Sequence, residues 1–464
     1  MGPAVQTDSF SSLPLSEALL SNLESLGYLS MTPIQQQSLP HALKGQDLIA
    51  KAKTGSGKTA AFALPILNRL NLRDFACQAM VLCPTRELAT QVANEIRRLA
   101  RPLPNVKVLT LCGGTPIGPQ INSLEYGTHV VVGTPGRIED HLRKQTLSLA
   151  RLQTLVLDEA DRMLDMGFFD VIEGIIRQTP AQRQTLLFSA TYPDQIQQLS
   201  ARFQRQPVEV SVESLHSQSH IQQIFYQVAK PKDKAGALLK VLGQHQPQSC
   251  IVFCKTKQGC SELTEQLLAA GHSAVALHGD LDQKERDQVL VRFANQSVSI
   301  LVATDVAARG LDISDLQVVV NYDIPADSEA YVHRIGRTGR AGNTGLAVTL
   351  LTENEIFRLE QIGHFLDQEF QVQDGAALPP VSHTPPKPPM VTLSLDGGRK
   401  NKIRPGDIVG ALTGEAGIDN NCIGKIDVFD FVAYVAITRQ VAREALAQLQ
   451  NGKIKGRKIR VRRV

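Results

Sequence analysis

Short apolar runs separated by amphipathic stretches dominate the first 370 residues. They fall at 47–50, 79–83, 106–110, 129–133, 155–157 and 185–188, and again at 249–253, 274–278, 299–303, 318–321 and 345–350. Runs of this length, rich in Val, Ile and Leu, read as strands buried on both faces. Helical patterns lie between most of them, as parallel strands joined by crossover helices require. A polar stretch at 207–219 divides the two series, so the pattern predicts two tandem α/β domains with a cleft between them. Six prolines between Pro379 and Pro389 then mark an extended, semi-rigid spacer. Beyond it the order is β-α-β-β-α-β: a strand at 391–395, a helix at 407–412 and two strands within 423–437. A helix capped by Thr438 and a strand at 458–461 complete it. The predicted boundaries are 1–208, 218–372, a linker at 373–389, and a small α+β domain at 390–464.

Composition changes this picture little, and charge changes it more. Hydrophobic residues make up 42% and charged residues 20% of the 464, which suits globular domains. No apolar run approaches the roughly 18 residues of a membrane span, and no basic-then-apolar leader follows Met1, so no membrane partner is expected. Seven scattered cysteines predict reduced thiols in the cytoplasm. Cys250, Cys254 and Cys260 fit no zinc spacing and read as core. The net charge of +4 is unevenly held: residues 390–464 carry 14 Lys plus Arg against 7 Asp plus Glu. That asymmetry points to a tail that binds a polyanion.

Two segments carry the clearest chemistry. Ala52-Lys53-Thr54-Gly55-Ser56-Gly57-Lys58-Thr59 follows a strand and opens a helix. Its glycines let backbone N–H groups approach phosphates, Lys58 reaches the β- and γ-phosphates, and Thr59 suits Mg²⁺. The strict template has Gly at position 52, where this chain has Ala. Asp158-Glu159-Ala160-Asp161 follows the run at 155–157, which places carboxylates at the C-terminal edge of a buried strand, where α/β sheets bind ligands. Asp158 is placed to hold Mg²⁺ through water and Glu159 to act as general base. Together they predict a nucleoside-triphosphate engine.

With these residues in view, positions 10–370 resemble the DEAD-box RNA helicases of superfamily two, which implies two RecA-like domains, ATP as substrate and RNA as partner. Gly27-Tyr28 and Thr32-Pro33-Ile34-Gln35 match the family's adenine-reading motif. By that likeness Gln35 bonds the adenine edge and Phe10 packs beside it. Ala52 is the family's usual residue. Pro84-Thr85-Arg86, Gly113-Gly114 and Thr134-Pro135-Gly136-Arg137 resemble the first domain's RNA contacts, whose chemistry suits backbone rather than base readout. Ser189-Ala190-Thr191 resembles the motif coupling hydrolysis to strand separation, with hydroxyls expected to reach Asp161. In the second domain the likeness assigns Asp312 to the ribose, Thr304, Arg309 and Gly310 to RNA, and His333 to coupling. Arg337 and Arg340 are implied as arginine fingers. The set is split between domains, so closure on ATP and RNA is expected to precede hydrolysis.

The tail's element order is that of an RNA-recognition motif. Its stacking signature is poor, because Thr392, Asp430 and Val432 stand where aromatics or a base are usual. The basic residues Arg399, Lys400, Lys402, Lys453, Lys455, Arg457 and Lys458 are the candidate contacts instead. The Ile403-Arg404-Pro405-Gly406-Asp407 and Gly452-Lys453-Ile454-Lys455-Gly456 segments resemble the bacterial DbpA subfamily. That likeness implies a monomer targeted to 23S rRNA near the peptidyl-transferase centre, acting in large-subunit assembly. A general RNA chaperone, a non-unwinding ATP-gated clamp and a DNA helicase are the alternatives.

Overall fold

The computed structural model describes residues 8–52, 55–192, 194–212, 221–308, 313, 315–339, 344–381, 384–414 and 417–464. These fall into two units. The first holds seven parallel strands: β1 (Leu48–Lys51), β2 (Ala79–Leu82), β3 (Val108–Leu111), β4 (Val130–Gly133), β5 (Thr154–Leu157), β6 (Gln184–Ser189) and β7 (Val208–Ser211). Their order is β3-β4-β2-β5-β6-β1-β7, with every pair parallel. Alternate residues enter two cores. Val81, Val156, Leu186 and Phe188 face one side, with Phe62 of the helix Lys58–Arg69 edge-on to Phe188 at 5.3 Å. Met80, Leu155, Leu157 and Leu187 face the other.

The second unit repeats the plan with β8 (Ile221–Gln227), β9 (Cys250–Cys254), β10 (Ala274–Leu277), β11 (Ile300–Thr304), β12 (Val318–Asn321), β13 (Gly345–Leu351) and β14 (Val372–Asp374). The order is β10-β11-β9-β12-β13-β8-β14, again parallel. Cys250, Cys254 and Cys260 are buried in its core. Three strands were invisible in the hydrophobic pattern. β7 and β14 lie at sheet edges with mostly solvated side chains, and three of the seven residues of β8 are glutamine.

The tail's antiparallel sheet comprises β15 (Met390–Leu395), β16 (Ile423–Val428), β17 (Ala433–Thr438) and β18 (Val461–Arg463), in the order β16-β17-β15-β18. Its helices are Pro405–Thr413 and Ala442–Asn451. Two sequence expectations need correction. Thr438 does not cap the second helix: it ends β17 and its hydroxyl donates to the Cys422 carbonyl at 3.2 Å. Val441 stands at that helix's N-cap without a side-chain bond. The last strand also begins at Val461, because residues 454–457 form a tight turn closed by mutual Ile454–Arg457 backbone bonds.

Both faces of the tail's sheet are covered. Val391, Leu393, Leu395, Val435 and Ile437 face its helices. Thr392, Ser394, Tyr434 and Ala436 point the other way and are also buried. The second parallel-sheet domain covers them there. Thr392 is 0% exposed, its hydroxyl meets Ser297 Oγ at 2.7 Å, and it accepts from Asn295 Nδ2 at 3.3 Å. The Met390 amide donates to the Gln296 carbonyl. The linker is docked as well: Leu378 is buried in the second domain's core, and Arg439 donates to the carbonyls of Pro388 and Met390.

Thr392→Val keeps the shape and leaves Asn295 and Ser297 without that partner. A buried polar group so stranded costs about 1–3 kcal/mol. We expect faster proteolysis and amide exchange at 378–389 and in β15, with β9 and β12 unaffected; unchanged exchange at the linker refutes the clasp.

Candidate nucleotide and RNA sites

In the first unit the chemistry gathers because β5, β6 and β1 are neighbours. Their C-terminal ends place Asp158, Ser189 and the phosphate loop side by side. The loop enters the helix Lys58–Arg69 through Gly57, whose φ of +93° a residue with a side chain rarely adopts. A Cβ there lies 2.6 Å from Gln35 Nε2 and 2.9 Å from Thr32 Oγ1. That close approach allows Gln35 Nε2 to donate to the Gly57 carbonyl at 3.0 Å, while Gln35 Oε1 accepts from the Thr32 amide. Gln35 thus ties its own helix start to the phosphate loop. Phe10 is buried edge-on to Tyr28, with centroids 6.2 Å apart.

Among the described residues, several buried polar atoms here have no hydrogen-bond partner: Lys58 Nζ, Ser56 Oγ, Thr32 Oγ1 and Asp158 Oδ1. Lys58 is only 6% exposed. Burial pushes the Asp158 carboxyl up to about 6; the Lys58 ammonium opposes this and Glu159 adds to it. An ammonium, a hydroxyl and a carboxylate left open around a glycine loop fit a phosphate–cation pair, which supplies acceptors to the first two and a cation to the third. Glu159 is buried with φ +51°, a left-handed conformation uncommon for a side-chain-bearing residue. Asp161 is fully engaged. Its Oδ2 accepts from the Ala190 amide, the Thr191 amide and Thr191 Oγ1 at 3.0–3.1 Å, and its own amide donates to Ser189 Oγ.

Further along the same edge, Pro84, Thr85 and Arg86 follow β2, and Thr134 and Arg137 follow β4. Thr85 Oγ1 caps the helix Arg86–Leu99 by accepting from Leu88 N. Gly114, at φ +70°, leaves room for Arg86: a Cβ there would sit 1.5 Å from Nη1. Arg137 donates to the Thr115 carbonyl through Nη2, while its buried Nη1 has no partner. Arg86 and Arg137 both bear on Cys112, although burial still holds that thiol at about 11.

In the second unit Thr304 ends β11 and is buried. The helix Ser328–Ile335 carries His333, and Arg337 follows it with Nη1 donating to the Ile313 carbonyl. Thr54, Arg309, Gly310, Asp312 and Arg340 lie outside the described residues. Arg334, given no role from sequence, is 3% exposed and grips Asp305 with two bonds of 2.6–2.7 Å. It also reaches Asn321 Oδ1 and the Asp323 carbonyl and lies over the Phe253 ring. It anchors the helix that presents His333 and Arg337.

In the tail, Arg399, Lys400, Lys402, Lys453, Lys455, Arg457 and Lys458 are all exposed. Lys455 Nζ donates to the Lys402 carbonyl at 3.0 Å, which joins the two basic segments. The amides of Arg399 and Lys400 donate to the carbonyls of Phe429 and Asp430, bringing the β16–β17 turn to the same end of the sheet. Phe431 on that turn is 71% exposed. An aromatic presented among cations is the profile of a base-stacking side chain. Its signal was present in sequence, since a Phe in a polar turn has no core to join, although it lies outside the sheet positions where stacking aromatics are usual.

Family models match three stretches: DEAD/DEAH box helicase at 32–199, helicase conserved C-terminal domain at 233–342, and DbpA RNA binding domain at 392–463. The chain is 53% identical over 448 residues to the ATP-dependent RNA helicase DbpA of Escherichia coli (strain K12), covering 97% of each. It belongs to the DEAD-box ATP-dependent RNA helicases. Within them it is of the DbpA type, and it is an ATP-hydrolysing enzyme. This helicase is also 47% identical over 396 residues to the DEAD-box helicase CshA of Geobacillus kaustophilus, covering 85% of this chain and 82% of that one. Among solved structures it resembles Saccharomyces cerevisiae Dbp5 bound to RNA and ADP BeF3, with a TM-score of 0.73 and 32% identity over 79% of this helicase and 96% of that chain.

Gly114→Ala forces the Arg86 guanidinium aside. We expect RNA affinity to fall about tenfold, the scale of one charge-assisted contact, with ATP affinity unchanged. Equal RNA affinity in filter binding refutes that role. Thr191→Val removes one of the bonds to Asp161 and is expected to lower unwinding more than ATPase, measured side by side.

Proposed function

We propose that this helicase opens short RNA duplexes in 23S rRNA near the peptidyl-transferase centre, during large-subunit assembly, and is directed there by residues 390–464. The carrying observation is the convergence of the basic segments and Phe431 at one end of a domain that matches the DbpA RNA binding model. The match to an RNA binding domain supports RNA as what the tail contacts, and the cluster offers both phosphate contacts and a base contact. We place the enzyme in the cytoplasm as a monomer, with helicase domains at 1–208 and 218–372, a linker at 373–389 and the targeting domain at 390–464.

In this reading Gln35, Phe10, Thr54, Gly55, Ser56, Gly57 and Asp312 bind the nucleotide, and Lys58 holds its terminal phosphates. Thr59 and Asp158 would hold Mg²⁺, which when bound would neutralise phosphate charge. Glu159 takes the proton of the attacking water, and Arg337 and Arg340 stabilise the charge that develops on the phosphoryl group. Asp161, Ser189, Thr191 and His333 relay the nucleotide state. Pro84, Thr85, Arg86, Gly114, Thr134, Arg137, Thr304, Arg309 and Gly310 hold the RNA backbone. Neither parallel-sheet domain carries the whole set, so turnover depends on RNA and ATP acting together.

The test is ATPase stimulation by ribosomal RNA and by an unrelated RNA, each with the full chain and with residues 390–464 deleted. We expect selective stimulation that the deletion abolishes. Equal stimulation by both RNAs defeats targeting and favours the general chaperone. Glu159→Gln is expected to lower ATPase by a factor of about 10²–10⁴. ATPase surviving at full rate in that variant excludes its role as base.

A further inference from the structure

We propose that the seam between the second parallel-sheet domain and the tail domain is a binding site for RNA backbone phosphate, built by Arg292, Arg463 and Lys387. A cavity of about 700 Å³ opens there. Arg292 comes from the helix Gln283–Ala294, Lys387 from the linker, Arg439 from the turn after β17 and Arg463 from β18. The site exists only because these four segments meet where the tail docks.

The charge arrangement is what calls for an anion. Among the described residues, no Asp or Glu side chain lines the cavity. Arg292 Nε is buried without a hydrogen-bond partner. Burial first, and the charge of Arg463 second, push both Arg292 and Arg439 below the usual arginine range. Arg439 spends its donors on the carbonyls of Pro388 and Met390, so it fixes the linker wall. Arg292 and Arg463 have no such use. The contrast with Arg334 in the same unit is direct, for that buried guanidinium is matched by the Asp305 carboxylate. Like charges gathered in a partly buried place repel and lose hydration, a cost relieved when an anion enters.

Guanidinium forks suit phosphate oxygens, which accept two parallel N–H bonds. Arg463 and Lys387 are exposed, so the cavity is open to a chain passing over it. RNA is the polyanion this family works on, which decides between backbone phosphate and free phosphate. The site requires RNA binding but not a ribosomal target, since backbone contacts are blind to sequence.

The test uses the full chain. RNA affinity is measured by fluorescence anisotropy across a salt series, with one ribosomal and one unrelated RNA. Removing two phosphate contacts by Arg292→Gln with Arg463→Gln is expected to flatten the slope of log K against log salt by about 1.4, at roughly 0.7 per single-strand contact. The change is expected for both RNAs, with RNA-free ATPase unchanged. The paired Arg292→Lys with Arg463→Lys variant, which keeps the charge, should retain most of the slope. An unchanged slope in the Gln pair overturns the proposal, and so does an equal loss in the Lys pair, which marks a packing role. A second arm titrates inorganic phosphate without RNA by calorimetry. Phosphate binding that needs the two arginines while the RNA slope does not move assigns the cavity to a free anion and also overturns the proposal. Loss of selectivity between the two RNAs sinks ribosomal targeting and leaves this site standing.

Discussion

The Asp161 carboxylate is the constraint around which the catalytic edge is organised. It sits just past β5, yet its Oδ2 takes three bonds from the residues just past β6. A buried carboxylate needs hydrogen-bond partners, so its position and that of Ser189-Ala190-Thr191 define each other. The Ala52 amide in turn donates to the Ser189 carbonyl, which carries the connection to the start of the phosphate loop. Three loops that share chemistry therefore also share backbone and side-chain bonds. A change in any one has a physical route to the others.

The parallel sheets and the nucleotide loop were legible in sequence for a simple reason. Strands buried on both faces read as continuous apolar runs, and the phosphate loop needs residue types that few other structures need together. Gly57 illustrates both: its left-handed backbone and its contact with Gln35 leave no space for a Cβ. Solvated elements were not legible. β14 exposes all three of its residues, so no hydrophobic signal could mark it, and its membership comes only from pairing with β8. Arg334 was not legible as an anchor because a charged residue inside an arginine-rich motif reads as a ligand contact; only the facing Asp305 reveals its role.

The tail shows a different limit. Its fold followed from element order, and the doubt about stacking followed from Thr392 standing in place of an aromatic. The use made of that substitution was not visible. A small hydroxyl residue allows the sheet face to approach Asn295 and Ser297 and bond to them, where a ring would hold the surfaces apart. The basic loops, at the end of the same sheet, stay exposed. One domain thus divides its surface, with a face for its own chain and loops for the polyanion.

The left-handed backbone at Glu159 has a consequence for the history of the enzyme. A side-chain-bearing residue held at φ +51° stores strain on the order of 1–3 kcal/mol, and glycine carries almost none. Selection for thermal robustness alone would favour replacing the acid at 159 with glycine. If Glu159 serves as the base proposed above, turnover opposes that exchange at the same position. Durability and chemistry then pull against each other there, and a glycine would be expected to leave nucleotide binding without hydrolysis.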